Sequence, residues 1–178
     1  CSSDLKRARQ AFSFDDIAIV PSRRTRDPKE VSIQWQIDAY KFDLPMLAAP
    51  MDSVVSPETA IAIGQLGGVG VLNLEGLWTR HENPRIALGE ISSLPQEQAI
   101  RRMQALYAAP IQPELIKSRI AEIRAAGVTV AGALSPARTA EFHKVVIDAG
   151  VDIFVIRGTT VSAEHVATET APLNLKKF

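Results

Sequence analysis

Short unbroken apolar runs and longer stretches with helical spacing take turns along this chain, and their order is its first structural signal. Leu44–Ala48 is an apolar run without alternation, the pattern of a parallel strand covered on both faces. A helix start follows: Ser56 offers a side-chain oxygen as N-cap, Pro57 the fixed φ of the first helical position, and Glu58 a negative charge in the positive first turn. Ile61, Ala62 and Leu66 continue as a helical stripe, Gly67 and Gly68 permit the left-handed residue that ends it, and Val69–Leu72 is a second apolar run. Residues 44–73 are therefore expected to form one βαβ unit. The same order returns downstream, with Val128–Leu134 as strand, Ser135 and Pro136 as cap and proline, and Phe142, Val145, Val146 and Ala149 as stripe. Gly150 then stops that helix, and Asp152–Ile156 is a further strand.

Between the two repeats lies the least regular stretch, 74–127. A plain crossover takes only about a dozen residues, so this is expected to be an insertion with helices of its own. Ser93 and Gln96 have the spacing of a capping box; Ala99, Met103 and Leu106 mark one helical face, and Ile116, Ile120 and Ile123 another. Upstream, Phe12–Val20 reads as extended, with Asp15 and Asp16 marking a turn or bulge. Arg23, Arg24, Arg26 and Lys29 form a basic loop, read as a solvated surface rather than a phosphate or subunit contact. Val31–Tyr40 reads as extended, with Val31, Ile33, Trp35, Ile37 and Ala39 on one face and Trp35 in a core or lid. Ser162 is a candidate cap for a short helix through Ala167, and Thr168–Phe178 shows no period.

Counting the insertion as a crossover gives about four strand-and-crossover units. The expected class is α/β: an N-terminal partial (β/α)8 TIM barrel, in a fold that typically takes ~250 residues when complete. A small doubly wound sheet and a half-barrel that pairs with a second copy are the alternatives. Chemistry in such units sits beyond the C-terminal strand ends, which selects Ala49, Pro50, Met51 and Asp52 after one strand and Asn73 after the next. On spacing alone, Met51 as a core residue and Asp52 as a cap is the plainer reading.

Composition narrows the function classes. With 46% hydrophobic and 22% charged positions in 178 residues, the chain suits one soluble domain. Its 20 basic and 20 acidic residues balance, so no net field attracts nucleic acid or an acidic membrane surface. No apolar run nears the ~20 residues a bilayer requires, and residues 1–30 lack a signal-peptide centre. No nucleic-acid or membrane partner is expected, and a cytoplasmic location is the default. The single cysteine excludes an internal disulfide framework, and His81, His143 and His165 lack ligand spacing, so no metal site is expected. Cys1 could open a lipidated anchor. The preferred reading is that residues 1–5 are a non-native leader, because the end of a common sequencing adapter, TGCTCTTCCGATCT, translates to Cys-Ser-Ser-Asp-Leu. Residues 6–178 are then the N-terminal part of a single TIM-barrel domain, with the helical insertion at 74–127.

The stretch PMLAAPMDSV (Pro45–Val54) followed by AIAIGQLGGVGVLN (Ala60–Asn73) resembles the first βαβ unit of the IMP dehydrogenase/GMP reductase family. FSFDDIAIVPS (Phe12–Ser22) is similar to that family's opening strand, and AGVDIFVIRGTTVS (Ala149–Ser162) resembles its strand and loop at the nicotinamide cofactor. SRRTRDPKEVS and VSAEHVATETAPLNLKKF look most like the IMP dehydrogenase-related branch without the regulatory domain. The insertion is too short for an adenine-nucleotide regulatory module.

The resemblance implies a purine nucleotide oxidoreductase in which a thiolate adds to purine C2 and hydride passes between C2 and the cofactor, NAD or NADP. The leading reading is IMP dehydrogenase-like, converting IMP and NAD to XMP. A GMP reductase using NADPH and releasing ammonia is the alternative, and a non-catalytic nucleotide-binding paralogue is a third. IMP or GMP would meet Ala49 and Met51, with Asp52 fixing the loop, and the cofactor would meet Asn73, Arg157, Gly158, Thr159 and Thr160. The intact enzyme is expected to be a homo-tetramer or larger. The nucleophilic cysteine belongs to the other half, so no catalytic residue is assigned in this chain. The piece alone is expected to be inactive and to self-pair through open strand edges. One position departs from the family pattern: Arg157 stands where the dehydrogenases carry an aspartate for the nicotinamide ribose hydroxyls. It suits either a cofactor phosphate, favouring NADPH, or a structural ion pair.

Overall fold

The structure is a computed structural model and describes residues 10–21 and 23–158. Thr159, Thr160, His165, the helix expected from Ser162 and the leader at 1–5 lie outside the described residues. The chain divides into two compact units, residues 1–32 and 33–178.

In the first unit the stretch expected to be extended, Phe12–Val20, is interrupted by a single 3-10 turn, Phe14–Asp16, and a second such turn, Pro28–Glu30, lies at the end of the basic loop. The acidic pair makes the first turn. The Asp16 carboxylate accepts from the Ser13 amide at 2.9 Å and from the Ser13 hydroxyl at 2.8 Å, and those bonds lower its pKa. Asp27 caps the second turn, accepting from the Lys29 amide at 3.3 Å.

The second unit opens with a hairpin, β1 (Trp35–Ile37) and β2 (Tyr40–Phe42), paired antiparallel. The run expected to stay extended through Tyr40 therefore stops at Ile37, because Asp38 takes a left-handed φ of 49° and turns the chain. Ala39 sits in the turn rather than on the strand face. Trp35 packs on Phe42 with ring centroids 5.1 Å apart and donates its indole N–H to the Leu44 carbonyl at 2.8 Å.

Four parallel strands follow, β3 (Leu47–Ala48), β4 (Val69–Asn73), β5 (Ala131–Leu134) and β6 (Ile153–Ile156), hydrogen-bonded in the order β3-β4-β5-β6. Each strand lies beside its predecessor. A doubly wound sheet reverses direction at a switch point and this one does not, so the fold is α/β with the strand order of a partial (β/α)8 barrel.

Helix α1 (Pro57–Gln65) starts as the sequence indicates, with the Ser56 hydroxyl accepting from the Thr59 amide at 3.1 Å. Gly67 beyond it has φ of 90°. Its buried face runs through Pro57, Ala60 and Ile61, and the expected stripe members Ala62 and Leu66 are exposed. The helix lies so close to β4 that a side chain at Gly70 would run into the Ala60 backbone, which selects small residues for that face.

Residues 74–127 hold a 3-10 turn, Leu77–Thr79, and three α-helices: α2 (Pro84–Ser93), α3 (Gln96–Tyr107) and α4 (Pro113–Ala125). Helix α4 packs on both α1 and α5 (Pro136–Asp148) through buried Ile116, Ile120 and Ile123, so it is the crossover from β4 to β5. Only α2 and α3, packed as a helical hairpin, stand outside the repeat. Ser93 does not cap α3. It ends α2, where its hydroxyl donates to the Glu90 carbonyl at 2.8 Å, and Pro95 holds the position before α3. Helix α5 begins on Ser135 and ends before Gly150, φ 86°, as expected.

The sheet has two faces. On the helix side, Leu72, Leu74, Val130 and Leu134 join the three isoleucines of α4 and Phe142 and Val146 of α5. On the other side, Val69, Val71, Ala131 and Ala133 meet Phe42 of the hairpin, with Trp35, Ile37, Tyr40, Ile153 and Val155 around them.

Candidate functional site

The second face of the sheet leads to the site. Strand side chains alternate with a period of two, so Val71, Ala131 and Ile153, paired across the strands, form one inward layer. Asn73, Ala133 and Val155 form the next. Two residues further on come Glu75, Ser135 and Arg157, at the C-terminal strand ends. The sheet pairing carries that far, since the Arg157 amide donates to the Leu134 carbonyl at 2.8 Å.

This last layer is joined by hydrogen bonds. Arg157 donates through Nη2 to Glu75 Oε1 at 2.9 Å, and the Ser135 hydroxyl donates to Glu75 Oε2 at 2.8 Å. Through Nη1, Arg157 also donates to the Pro50 carbonyl at 3.0 Å. One guanidinium thus links the ends of β6 and β4 to the loop after β3. The Glu75 side chain is 16% exposed and that of Arg157 44%.

The loop after β3 is held at a second point. Asp52 is buried, and its Oδ2 accepts from the Leu77 amide at 2.9 Å and from the Tyr107 hydroxyl. The Trp78 indole donates to the Asp52 carbonyl at 3.4 Å. Asp52 Oδ1 lies against Gly76, where any side chain would overlap it, and has no hydrogen-bond partner. Burial, and then the bond to the Asp52 carboxylate, push the Tyr107 phenol well above its ordinary value, so it stays protonated and remains a donor. The helical hairpin therefore reaches the strand ends through the last residue of α3.

The expected site residues fall around this rim. Ala49 and Met51 are exposed, and Met51 lies between the two anchored positions, Pro50 and Asp52. Asn73 is buried; its side-chain oxygen accepts from the Glu75 amide at 3.4 Å. Gly158 is exposed at the end of the described chain. Of the two roles set out for Arg157, the geometry supplies partners for the ion pair. Glu75 and Tyr107 were not among the expected site residues. Glu75 was within reach of a period-two count from Val71 and Asn73, whereas nothing in the sequence links Tyr107 to a carboxylate 55 positions earlier.

The two described histidines have partners within the fold: His81 Nε2 lies 2.9 Å from the Leu106 carbonyl and His143 Nδ1 3.0 Å from the Thr139 carbonyl. Among the described residues no three histidine, cysteine or acidic side chains gather as metal ligands, and no helix is long and apolar enough to cross a membrane.

Consecutive parallel strands with helices on one face and a polar rim at their C-terminal ends place the chain in the class of α/β-barrel proteins, as a partial barrel. The sequence of residues 11–174 matches the IMP dehydrogenase / GMP reductase domain, and the chain belongs to that family. An uncharacterized oxidoreductase of Mycobacterium tuberculosis is 47% identical over 97% of this chain and 48% of that protein. The inosine-5'-monophosphate dehydrogenase of Methanocaldococcus jannaschii is 36% identical over 69 residues, 39% of this chain and 14% of that enzyme. Among solved structures, an IMP dehydrogenase/GMP reductase-like protein from Corynebacterium glutamicum superposes with a TM-score of 0.79 at 47% identity, covering 89% of this chain and 44% of that one. The chain spans about half the length of the oxidoreductase relatives it matches.

Proposed function

We propose that this chain is the first half of a purine nucleotide oxidoreductase that converts IMP and water to XMP, with NAD as hydride acceptor. The observation that carries this reading is the loop Ala49–Asp52, anchored through Pro50 and Asp52 so that Met51 is presented at the strand ends. Ala49 and Met51 line the base and ribose of the bound nucleotide, and Asp52 holds their loop rather than touching substrate. Asn73, Gly158, Thr159 and Thr160 would hold the dinucleotide, which would supply a hydride acceptor for purine C2. The thiol that attacks C2 is contributed by the second half of the barrel.

The reductase reading drew its support from Arg157 as a contact for an NADPH phosphate. Two of the five N–H donors of that side chain are bonded within the chain, which favours its ion-pair role and keeps the dehydrogenase as the leading reading, with the reductase as the alternative. The test is to follow nicotinamide absorbance in the complete-barrel protein, with IMP plus NAD and separately with GMP plus NADPH. Appearance of reduced cofactor with IMP is the expected outcome. Its loss with GMP would replace the dehydrogenase by the reductase, and silence in both would leave a nucleotide-binding paralogue.

A further inference from the structure

The helical hairpin of α2 and α3 stands outside the barrel repeat, yet its last residue reaches the site. We propose that Tyr107 is a positioning residue for the nucleotide: acting through Asp52, it holds the loop that presents Met51. This rests on the nucleotide-binding reading above and extends that site to an element the barrel repeat does not contain.

Asp52 is only 8% exposed, and its two oxygens are held unequally. Oδ2 accepts from the Leu77 amide at 2.9 Å and from the Tyr107 hydroxyl, whereas Oδ1 is buried with no partner among the described residues. A buried carboxylate oxygen without a donor is costly, so this side chain is drawn toward water. Water is close, because Met51, Ser53 and Val54 around it in the loop are exposed. What opposes the turn outward is the pair of donors on Oδ2. One is a main-chain amide in a buried 3-10 turn, where the Thr79 hydroxyl donates to the Leu74 carbonyl at 2.8 Å, so it is set by the end of β4. The other is a single hydroxyl at the end of α3. Without that hydroxyl, one bond is left to keep a buried carboxylate in place.

Tyr107 is itself fixed. Leu106 before it is buried in one cluster with Leu77 and Ala87, and the Leu106 carbonyl lies 2.9 Å from His81 Nε2. The Arg80 guanidinium lies over the Tyr107 ring, 5.9 Å from its centroid. Arg80 also donates through Nε to the Glu75 carbonyl at 3.1 Å and through Nη1 to the Ala109 carbonyl, tying the end of β4 to the end of α3. The hydroxyl is therefore delivered to Asp52 from a braced position. Met51 is the next residue in the chain, and its carbonyl accepts from the Val54 and Val55 amides at 2.9 Å, so the carboxylate and the turn move together. A site with two conformations binds through the competent one, and its affinity falls with the fraction that one occupies. Loss of the Tyr107 hydroxyl lowers that fraction.

The test compares wild type, Tyr107→Phe and Ile120→Val in the complete-barrel protein. Tyr107→Phe removes the hydroxyl and keeps the ring beneath Arg80; Ile120→Val thins the core under α4 and serves to match lost stability. IMP is titrated into each by isothermal titration calorimetry at a temperature where all three are folded, and amide exchange is read without ligand. Tyr107→Phe should bind IMP about five- to tenfold more weakly, with faster exchange at Val54 and Val55, while Ile120→Val binds as wild type does. In an Asp52→Ala background Tyr107→Phe should cause no further loss, since the hydroxyl acts through the carboxylate. Equal IMP affinity in wild type and Tyr107→Phe, or unchanged exchange at the two valines, overturns the positioning role and leaves the function intact. An equal loss in Ile120→Val overturns it too, by reducing the effect to general stability, and additive losses in the Asp52→Ala background overturn the route through Asp52. Failure of wild type to bind IMP overturns both the function and the role. The comparison of wild type with Tyr107→Phe needs no Asp52 variant, so a poorly folded Asp52→Ala does not rescue the proposal.

Discussion

The two faces of the parallel sheet are built from the same few strands and end differently. The helix face is apolar from one end to the other: Leu72 and Leu74 of β4 and its extension, Val130, and Leu134 of β5 are all fully buried beneath α1, α4 and α5. The opposite face is graded. It starts with Phe42 and Val69 at the hairpin, passes through Val71, Ala131 and Ala133, and finishes in Glu75, Ser135 and Arg157. One face is committed to stability. The other gives up burial at its last step, where three polar groups must hydrogen-bond one another because the strand ends place them side by side.

This contrast is sharpest in stability. Replacing Leu72 by Ala on the helix face should cost about 2–5 kcal/mol, because the cavity is walled by three helices and cannot collapse. Equilibrium urea unfolding reads this, and a loss below about 1 kcal/mol would mean that the helix layer is looser than the packing implies.

At the rim, Gly76→Ala places a methyl group against Asp52 Oδ1 and should cost about 1–3 kcal/mol through displacement of the carboxylate. An unchanged melting temperature would show that the loop after β3 moves freely, contrary to its two anchors.

Smaller again is Tyr107→Phe, about 1–2 kcal/mol for a lost bond to a buried carboxylate. Its signature is in pH. The phenol's folded value is raised above the ordinary 10.0, so its contribution is complete below pH 10 and is lost as pH rises through the folded value. Above pH 10 the stability of wild type should therefore fall faster than that of Tyr107→Phe, and parallel curves would remove Asp52 as the phenol's partner.

The smallest change is Arg157→Ala. Its guanidinium is 44% exposed, so breaking the pair with Glu75 should cost only about 0–1 kcal/mol. Its effect should appear instead in amide exchange of residues 49–52, which quickens once the Pro50 carbonyl loses its donor. Unaltered exchange there would reduce Arg157 to a surface ion pair.

Much of the repeat was legible in the residues. Ser56 with Pro57 and Ser135 with Pro136 name two helix starts, Gly67 and Gly150 two stops, and the three isoleucines of α4 its buried face. These signals are local, each set by backbone geometry within one turn. The α1 face was misread for a long-range reason: Leu66 is the stronger hydrophobe, but the close approach to Gly70 gave the buried position to Ala60. The β1–β2 hairpin was missed because its turn depends on a left-handed Asp38, and the alternation of apolar residues runs straight through it.

The site divides the same way. The sequence by itself determined the order of the strands, and with it the place of the loop Ala49–Asp52 and of Arg157 at the C-terminal strand ends, since these follow from chain order and motif. Only the tertiary structure decided which groups those residues meet. The Arg157 guanidinium reaches Glu75 across 82 positions and the Tyr107 hydroxyl reaches Asp52 across 55. Such partners are set by strand register and helix docking, which bring distant residues within hydrogen-bond range and leave no mark in the local pattern that encodes each element.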